Sequence, residues 1–252
     1  MTERRRADLL LVERGLAESR QRAQALIMAG LVFAGEERIA KPGQLLAVDR
    51  PLALRGQEHP WASRGGLKLA HGLEVFAVDP AGLVCLDIGA STGGFTDVLL
   101  SRGAARVYAV DVGQGQLAWK LRQDPRVVVL EKTNARYLTS AEVSQAPDLV
   151  VCDASFISLT LVLPASLALA KAGARLVALI KPQFEVGKGQ VGKGGVVRDP
   201  ALHRAVCKRI AAWLEEQGWG VLGLGESPIS GPAGNREFLI AAVKRPDAAS
   251  AA

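Results

Sequence analysis

The stretch Leu83-Val84-Cys85-Leu86-Asp87-Ile88-Gly89-Ala90-Ser91-Thr92-Gly93-Gly94-Phe95 decides the fold. An apolar run of strand length delivers the chain to a glycine-rich turn, and a helix leaves it. Glycine permits positive φ and close backbone approach, so a cofactor can pack directly on the main chain. A dinucleotide-binding loop would read G-x-G-x-x-G and seat a pyrophosphate at the helix N-terminus. Here the spacing is Gly89-x-x-x-Gly93-Gly94, and Asp87 at the strand tip would repel a pyrophosphate. A carboxylate in that place suits a cofactor with an amino group and a sulfonium, so the turn favours S-adenosyl-L-methionine over NAD. Asp111 ends the next apolar run, where a carboxylate can accept both ribose hydroxyls of an adenosine cofactor. The cofactor candidates are Asp87, Gly89, Ser91, Thr92, Gly93, Gly94, Phe95 and Asp111.

Downstream, the apolar runs Val107–Asp111, Val127–Leu130, Leu149–Asp153 and Leu176–Lys181 alternate with helical segments. That alternation predicts an α/β fold with a parallel, doubly wound, Rossmann-like sheet. The clearest helix covers about 200–217, with Asp199 as cap, Pro200 at N1, Gly218 at its end and Leu202, Val206, Ile210 and Trp213 on one side. Two last strands, Gly220–Leu224 and Glu237–Val243, are expected to form an antiparallel hairpin at the sheet edge.

Upstream, residues 1–55 read as a small α+β domain. Its first helix carries Asp8 near the start and Leu9 and Val12 on a common face, and stops at Gly15; the second opens at Ser19, carries Ala23, Leu26 and Ile27, and ends at Gly30. Short strands follow at Leu31–Phe33 and Leu45–Val48. The expected boundaries are 1–55, a polar linker over 56–60, a second domain over 61–245 and a disordered tail over 246–252.

Composition narrows the class. At 252 residues, with 49% hydrophobic and 22% charged residues, the chain reads as globular and not disordered. Its net charge of +6 suits a polyanionic partner. Cys85, Cys152 and Cys207 are too few and odd in number for a disulfide framework, which points to a reducing cytoplasm. The opening MTERRRADLL lacks the apolar stretch of a signal peptide, and no apolar window of about 18 residues offers a membrane span. Nothing in the sequence sets an oligomeric state.

Four charged residues stand at strand ends or beside them: Asp153, Lys181, Glu237 at the opening of the last strand, and Lys68 in Ser63-Arg64-Gly65-Gly66-Leu67-Lys68-Leu69. A charge ending an apolar run is costly unless it pairs or acts on a ligand. Methylating a hydroxyl needs positioning plus a base or charge stabiliser, and a lysine serves as a base only if its pKa falls. Residue types alone leave both readings open, structural ion pairs or a catalytic group. The run from Gly187 to Gly194 nearly matches a phosphate-binding P-loop but lacks the final hydroxyl for magnesium; it reads as a mobile basic loop within residues 181–198, whose Lys181, Lys188, Lys193 and Arg198 against Glu185 form a cluster able to touch phosphates.

Residues 61–245 resemble the FtsJ-like ribose 2′-O-methyltransferases. That family uses a Lys-Asp-Lys-Glu tetrad, which Lys68, Asp153, Lys181 and Glu237 match in order and context. The resemblance implies that Lys181 is the central catalytic lysine, oriented with the target hydroxyl by the other three. The segment around Asn134 resembles a family segment near the adenine. Residues 1–55 resemble the S4-like RNA-binding domain at Arg6, Asp8, Leu11, Gly15, Ser19, Arg20, Ala23, Ile27, Gly30, Val32 and Lys41-Pro42, while Phe33-Ala34-Gly35 departs from its usual turn. An RNA-binding face is expected from clustering of Arg4, Arg5, Arg6, Arg20 and Arg22, with Arg64, Lys188 and Lys193 on the second domain.

With SRGGLKL, DIGASTGGF, CDASFISL, KPQFE and GNREF in this order, the chain resembles the TlyA family almost end to end. The resemblance implies S-adenosylmethionine-dependent 2′-O-methylation of cytidine in 16S or 23S ribosomal RNA, with ribosomal subunits as partners. Two competing readings come with it: a membrane-active haemolysin, a name the family also bears, and an RNA-binding assembly factor without catalysis.

Overall fold

The computed structural model describes residues 3–28, 30–54, 59–231 and 233–246. The expected linker lies outside them apart from His59 and Pro60, and the expected tail apart from Pro246. The chain divides into two compact units, Met1–Pro60 and Trp61–Ala252.

In the first unit, strand β1 (Arg4–Arg6) runs directly into helix α1 (Ala7–Glu13), followed by α2 (Arg20–Met28) and the short strands β2 (Val32–Ala34), β3 (Glu37–Arg38), β4 (Leu45–Ala47) and β5 (Leu52–Leu54). β1 pairs with β4, and β2 pairs with both β3 and β5, all antiparallel. Phe33-Ala34-Gly35 closes the β2–β3 hairpin, where Gly35 supplies the positive φ of 63° that the turn requires. Ser19 caps α2 by accepting from the Arg22 N–H at 3.1 Å. The buried residues of α1 are Ala7, Asp8, Leu10 and Leu11; of the expected pair, Val12 packs half-buried against this core and Leu9 is exposed. The expected face was set by spacing within a helix of only seven residues, too short for periodicity to fix its phase.

Under α1 lies Asp8, which has no exposed surface. Arg6 grips it with two hydrogen bonds of 3.0 Å, and Arg20 and Gln24 each add one of 3.0 Å. The Arg6 guanidinium, helped by Gln24 and Arg20, holds the Asp8 carboxyl well below the usual carboxylate range despite its burial.

The second unit opens with α3 (Gly65–Val75) and then alternates: β6 (Val84–Ile88), α4 (Gly94–Ser101), β7 (Arg106–Val110), α5 (Trp119–Arg122), β8 (Val127–Leu130), β9 (Leu149–Cys152), α6 (Leu159–Val162), α7 (Pro164–Leu169), β10 (Arg175–Ile180), α8 (Pro182–Glu185), α9 (Pro200–Glu216), β11 (Trp219–Glu226) and β12 (Phe238–Lys244). One seven-stranded sheet has the order β11-β12-β10-β9-β6-β7-β8. The five strands from β10 to β8 are parallel; β12 runs antiparallel to both β10 and β11. The last two strands therefore pair as expected, but β12 is interior and only β11 lies at the edge. A continuous buried strand such as Leu239–Ala242 suits that interior place better than an edge.

Side chains alternate between two cores. Leu86, Ile88, Val150, Cys152, Leu176, Ala178 and Ile180 face the core shared with α6, α7 and α9. Cys85, Leu149, Val151, Val177 and Leu179 face the core shared with α3 and α4. Burial on both faces explains why these strands read as unbroken apolar runs. Helix α9 starts as expected, with Asp199 accepting from the Ala201 N–H at 2.7 Å and Pro200 at N1. Its buried side is His203, Val206, Ile210 and Leu214, one residue around from the expected Leu202 and Trp213.

Asp8→Ala removes the anion that two arginines and Gln24 converge on, so it should destabilise the first unit by about 2 kcal/mol, the scale of charged hydrogen bonds discounted because the arginines are part-exposed. Because the Asp8 pKa is depressed in the fold, the stabilisation is present at neutral pH and is lost as acid titrates the folded carboxyl. Hydrogen exchange of the full chain checks this: amides of residues 4–54 should lose protection in the variant at pH 7, and unchanged protection would count against the cluster.

Candidate active site

The glycine turn is shaped by three left-handed residues: Gly89 (φ 81°), Ser91 (φ 48°) and Gly93 (φ 96°). A Cβ on Gly89 would come within 3.0 Å of the Ala154 backbone, so this glycine lets the turn pack on the segment after β9. Ser91 is no glycine, and its strained backbone is held by Asp111, whose Oδ2 accepts from the Ser91 N–H at 2.8 Å while Oδ1 accepts from Gly113 N–H at 2.7 Å. Each oxygen keeps a lone pair for a further donor.

Two expected cofactor ligands have other work. Asp87 shares the strand face of Cys85, beneath α4, and is fully buried; the Thr96 hydroxyl donates to its Oδ2 at 2.7 Å and its Oδ1 has no partner. Burial pushes its carboxyl up to about 7, with Thr96 pulling the other way. It lines neither cavity described below, and its bond to Thr96 ties the end of β6 to α4 from underneath the turn. Gly93 is also absent from both linings: a Cβ there would strike Leu121 at 2.2 Å, which makes its role packing and positive φ. Gly94 is needed because a Cβ would meet the Ser63 hydroxyl at 2.3 Å, which is how Ser63-Arg64-Gly65-Gly66 seats on the start of α4.

The four charged residues form one chain. Lys181 Nζ pairs with Asp153 Oδ1 at 2.6 Å and donates to the Asp153 carbonyl at 3.1 Å and to Ser155 Oγ at 2.8 Å. Lys68 Nζ lies 3.5 Å from Asp153 Oδ2 and donates to Glu237 Oε2 at 2.6 Å. Lys68, Lys181 and Glu237 are 6%, 7% and 2% exposed, so the alternation of sign is what makes their burial tolerable.

Two cavities meet at this chain. One, of about 530 Å³, is lined by Lys68, Asp153, Lys181 and Glu237 together with Gly89, Ser91, Thr92, Gly94 and Phe95 of the turn. The other, of about 550 Å³, holds Asp111, Val112, Gln116, Asn134, Ile157 and Val162. Gly89, Ser91, Asp153, Ser155 and Phe156 line both. The second combines a carboxylate with apolar walls, as an adenosine needs. Asn134 turns its Oδ1 to cap the Arg136 N–H at 3.1 Å, which leaves the amide NH2 as its free end.

The expected RNA contacts differ in how committed they are. Arg4 and Arg22 are exposed, whereas Arg6 and Arg20 bind Asp8 and present only part of their side chains, 41% and 54% exposed. Arg64 is exposed at the mouth of the tetrad cavity and donates to the Ser230 carbonyl at 3.0 Å. Lys193 is exposed; the Lys188 side chain lies outside the described residues. The segment around them is not the loose loop expected: α8 and two single turns fill it, and Asn235 and His203 bind its Val197 at 3.0 and 2.9 Å.

Sequence reasoning missed Ser155 as the partner of Lys181, and Phe156. The latter is 89% exposed at a φ of 65°, lines both cavities and lies 5.0 Å from the Phe184 ring. A large aromatic held in strained backbone at a cavity mouth is a functional signal, but only the coordinates carry it.

Residues 61–244 match the family model described as FtsJ-like methyltransferase, and residues 5–49 that of the S4 domain. The fold and site thus define an FtsJ-like methyltransferase carrying an S4 domain. The 16S/23S rRNA (cytidine-2′-O)-methyltransferase TlyA of Mycobacterium tuberculosis is 53% identical over 95% of this chain and 90% of its own length. Hemolysin A of Brachyspira hyodysenteriae is 39% identical, covering 93% and 98%. A solved chain from Streptococcus thermophilus that carries the provisional name hemolysin superposes with a TM-score of 0.77 at 44% identity, covering 98% and 90%. This chain belongs to the TlyA family.

The two aspartates should separate experimentally. Asp111→Ala should weaken S-adenosylmethionine binding about tenfold or more by calorimetry, the scale of one lost charged hydrogen-bond pair. For Asp87, the folded pKa is raised, so between the ordinary carboxylate value and about 7 the folded state holds a proton the unfolded state has lost, and stability falls as pH rises across that window. The Tm of Asp87→Asn relative to the unsubstituted protein should therefore improve from pH 5 to pH 8 by at least about 2 °C. A constant difference would show that Asp87 is ionised in the fold.

Proposed function

We propose that this protein transfers the methyl group of S-adenosyl-L-methionine to the 2′-hydroxyl of a cytidine in ribosomal RNA, working on ribosomal subunits in the cytoplasm. The observation that carries the reading is the unbroken chain Lys181–Asp153–Lys68–Glu237 in a cavity that shares a wall with an adenosine-sized one.

The residues fit the cofactor. Asp111 and the Asn134 amide offer an acceptor and a donor to its adenosine end, with Ile157 and Val162 as apolar wall, and the main chain of Gly89–Ser91 approaches without side-chain obstruction. When bound, the cofactor supplies an electrophilic methyl on a sulfonium.

The remaining work falls to the chain. As an ammonium, Lys181 donates to the Asp153 carbonyl and Ser155 and forms an ion pair with the Asp153 carboxylate. As an amine it keeps two donors and gains a lone pair, and the Ser155 hydroxyl can rotate, which frees that lone pair for a substrate hydroxyl. Lys181 can then hold the 2′-hydroxyl and accept its proton. Asp153 fixes the lysine in place from two of its oxygens, while Lys68 offsets one of the two negative charges of Asp153 and Glu237 and Lys181 offsets the other once it carries the proton. Phe156, with Phe184 beside it, offers a face on which a base drawn out of an RNA helix can stack. The first unit contributes basic side chains, Arg4 and Arg22 among them, to RNA.

No helix among the described residues is long and apolar enough to cross a membrane, so the hemolysin name of some relatives finds no helical span here.

Lys181→Ala should abolish 2′-O-methylation, mapped by mass spectrometry on ribosomal subunits incubated with the protein and cofactor, and leave cofactor affinity within a few-fold; methylation by this variant would remove Lys181 from the chemistry. Phe156→Ala should lower kcat/KM for RNA by about tenfold or more, the scale of one lost base–aromatic stack, with cofactor affinity unchanged. Equal loss of cofactor affinity would assign the ring to the other cavity.

A further inference from the structure

The run that nearly matches a P-loop, Gly187 to Gly194, has no phosphate-loop geometry: it lies in α8's wake as two single turns, 188–190 and 193–195. Its last part is nevertheless built into the tetrad cavity. Gly194 and Gly195 both line it, and both are left-handed, at φ 77° and 76°. A Cβ on either would meet nothing within 4 Å, so neither glycine is there to relieve a packing clash. Two consecutive left-handed glycines leave a stretch of cavity wall with bare main chain, at a place where side chains would otherwise project into open space.

This wall is fixed. Gly192 N–H donates to the Val196 carbonyl at 3.1 Å, and Gly195 N–H to the Gly192 carbonyl at 3.1 Å. Asn235, only 3% exposed, spends both ends of its amide here: Oδ1 accepts from Val197 N–H at 3.0 Å and Nδ2 donates to the Gly195 carbonyl at 2.9 Å. The Asn235 carbonyl accepts from Gly231 N–H at 2.9 Å, and Gly231 lies so close to Glu237 that a Cβ on it would fall 2.6 Å from Oε1. One asparagine therefore ties the bare wall to the acidic end of the charged chain.

We infer that segment 192–196 is the seat of the ribose-phosphate backbone of the target nucleotide, and that Asn235 is the positioning residue that sets its distance from Lys181 and Glu237. The inference deepens the methyltransferase reading and rests on it. A sugar whose 2′-hydroxyl must reach Lys181 brings bulky, anionic phosphates on both sides. The aromatic pair Phe156 and Phe184 suits a base, which leaves the side-chain-free wall for the sugar. Lys193 in the segment and Arg64 in the same cavity lining supply cations for the phosphates.

The test compares Gly194→Ala, Gly195→Ala and Asn235→Ala with the unsubstituted full chain, using ribosomal subunits as substrate. Each variant should lower kcat/KM for RNA by about tenfold or more, chiefly through KM for the glycine variants, because misplacing a reacting group by about 1 Å is enough for such losses. In the two glycine variants calorimetric affinity for S-adenosylmethionine should stay within about twofold and Tm within about 5 °C, the scale of left-handed strain at one alanine, readouts that wider damage to the fold would move. Unchanged kcat/KM in both glycine variants overturns the inference, as does a parallel loss of cofactor affinity or of Tm in them, which would make the segment a scaffold only. Absence of methyl transfer by the unsubstituted protein would instead overturn the reading on which the inference rests.

Discussion

The structure depends on two lysines and two carboxylates being buried together in strict alternation. Removed from water, each charge alone would cost several kcal/mol, which opposite charges offset: two for Asp153 and for Lys68, one each for Lys181 and Glu237. Lys68 makes the alternation possible, since it is shared between Asp153 at 3.5 Å and Glu237 at 2.6 Å. The sheet order makes it geometrically available. Asp153 and Lys181 follow the carboxyl ends of the parallel neighbours β9 and β10, and Glu237 precedes β12, which is inserted next to β10 in the reverse direction. Reversal brings the start of β12 to the edge where the parallel strands end. An all-parallel insertion would have carried Glu237 to the opposite edge.

The glycine turn is subordinate to the same edge. Gly94 admits Ser63 and with it the segment that leads to Lys68, while Gly89 admits the Ala154 backbone next to Asp153. The turn thus serves two ends: it leaves backbone open to a cofactor, and it lets both arms of the charged chain close on one another. Strain at Ser91 is tolerable because Asp111 holds it through the N–H, so the residue expected to bind ribose also maintains the turn.

Much of this was legible in the residue string. Strand runs and the capped helix α9 follow from local apolar patterns and from Asp199-Pro200, which act within a few residues. The four charged residues stood out because each ends or opens a strand, or sits in a distinctive motif; the family resemblance grouped them as a tetrad, and they do converge. What was not legible depends on partners far along the chain. Asp8 and Asp87 are both buried aspartates, yet one meets two arginines and Gln24 and stays charged, while the other meets one hydroxyl and is pushed towards neutrality. No window of sequence counts those donors. The loop read as mobile is held by Asn235 and His203, one 38 residues away. The outward phase of α1 and the interior place of β12 were likewise settled by neighbours and not by spacing.

Both halves of the site are built from groups already engaged within the protein, and they differ in what they present. On the cofactor side, Asp111 accepts two backbone N–H groups and Asn134 caps a turn, so the geometry stands without a ligand. On the substrate side, Phe156 extends into solvent from strained backbone, Arg64 reaches the mouth, and Gly194 and Gly195 present unclothed main chain. A small cofactor brings little binding surface of its own and gains from a preformed site. A ribosomal RNA brings phosphates and bases along a large surface, and can itself supply the energy to settle a flipped nucleotide against these exposed groups. The charged chain lies between the two cavities. It holds Lys181 by one ion pair and two hydrogen bonds, so what each ligand must do is bring its own reacting atom to that lysine.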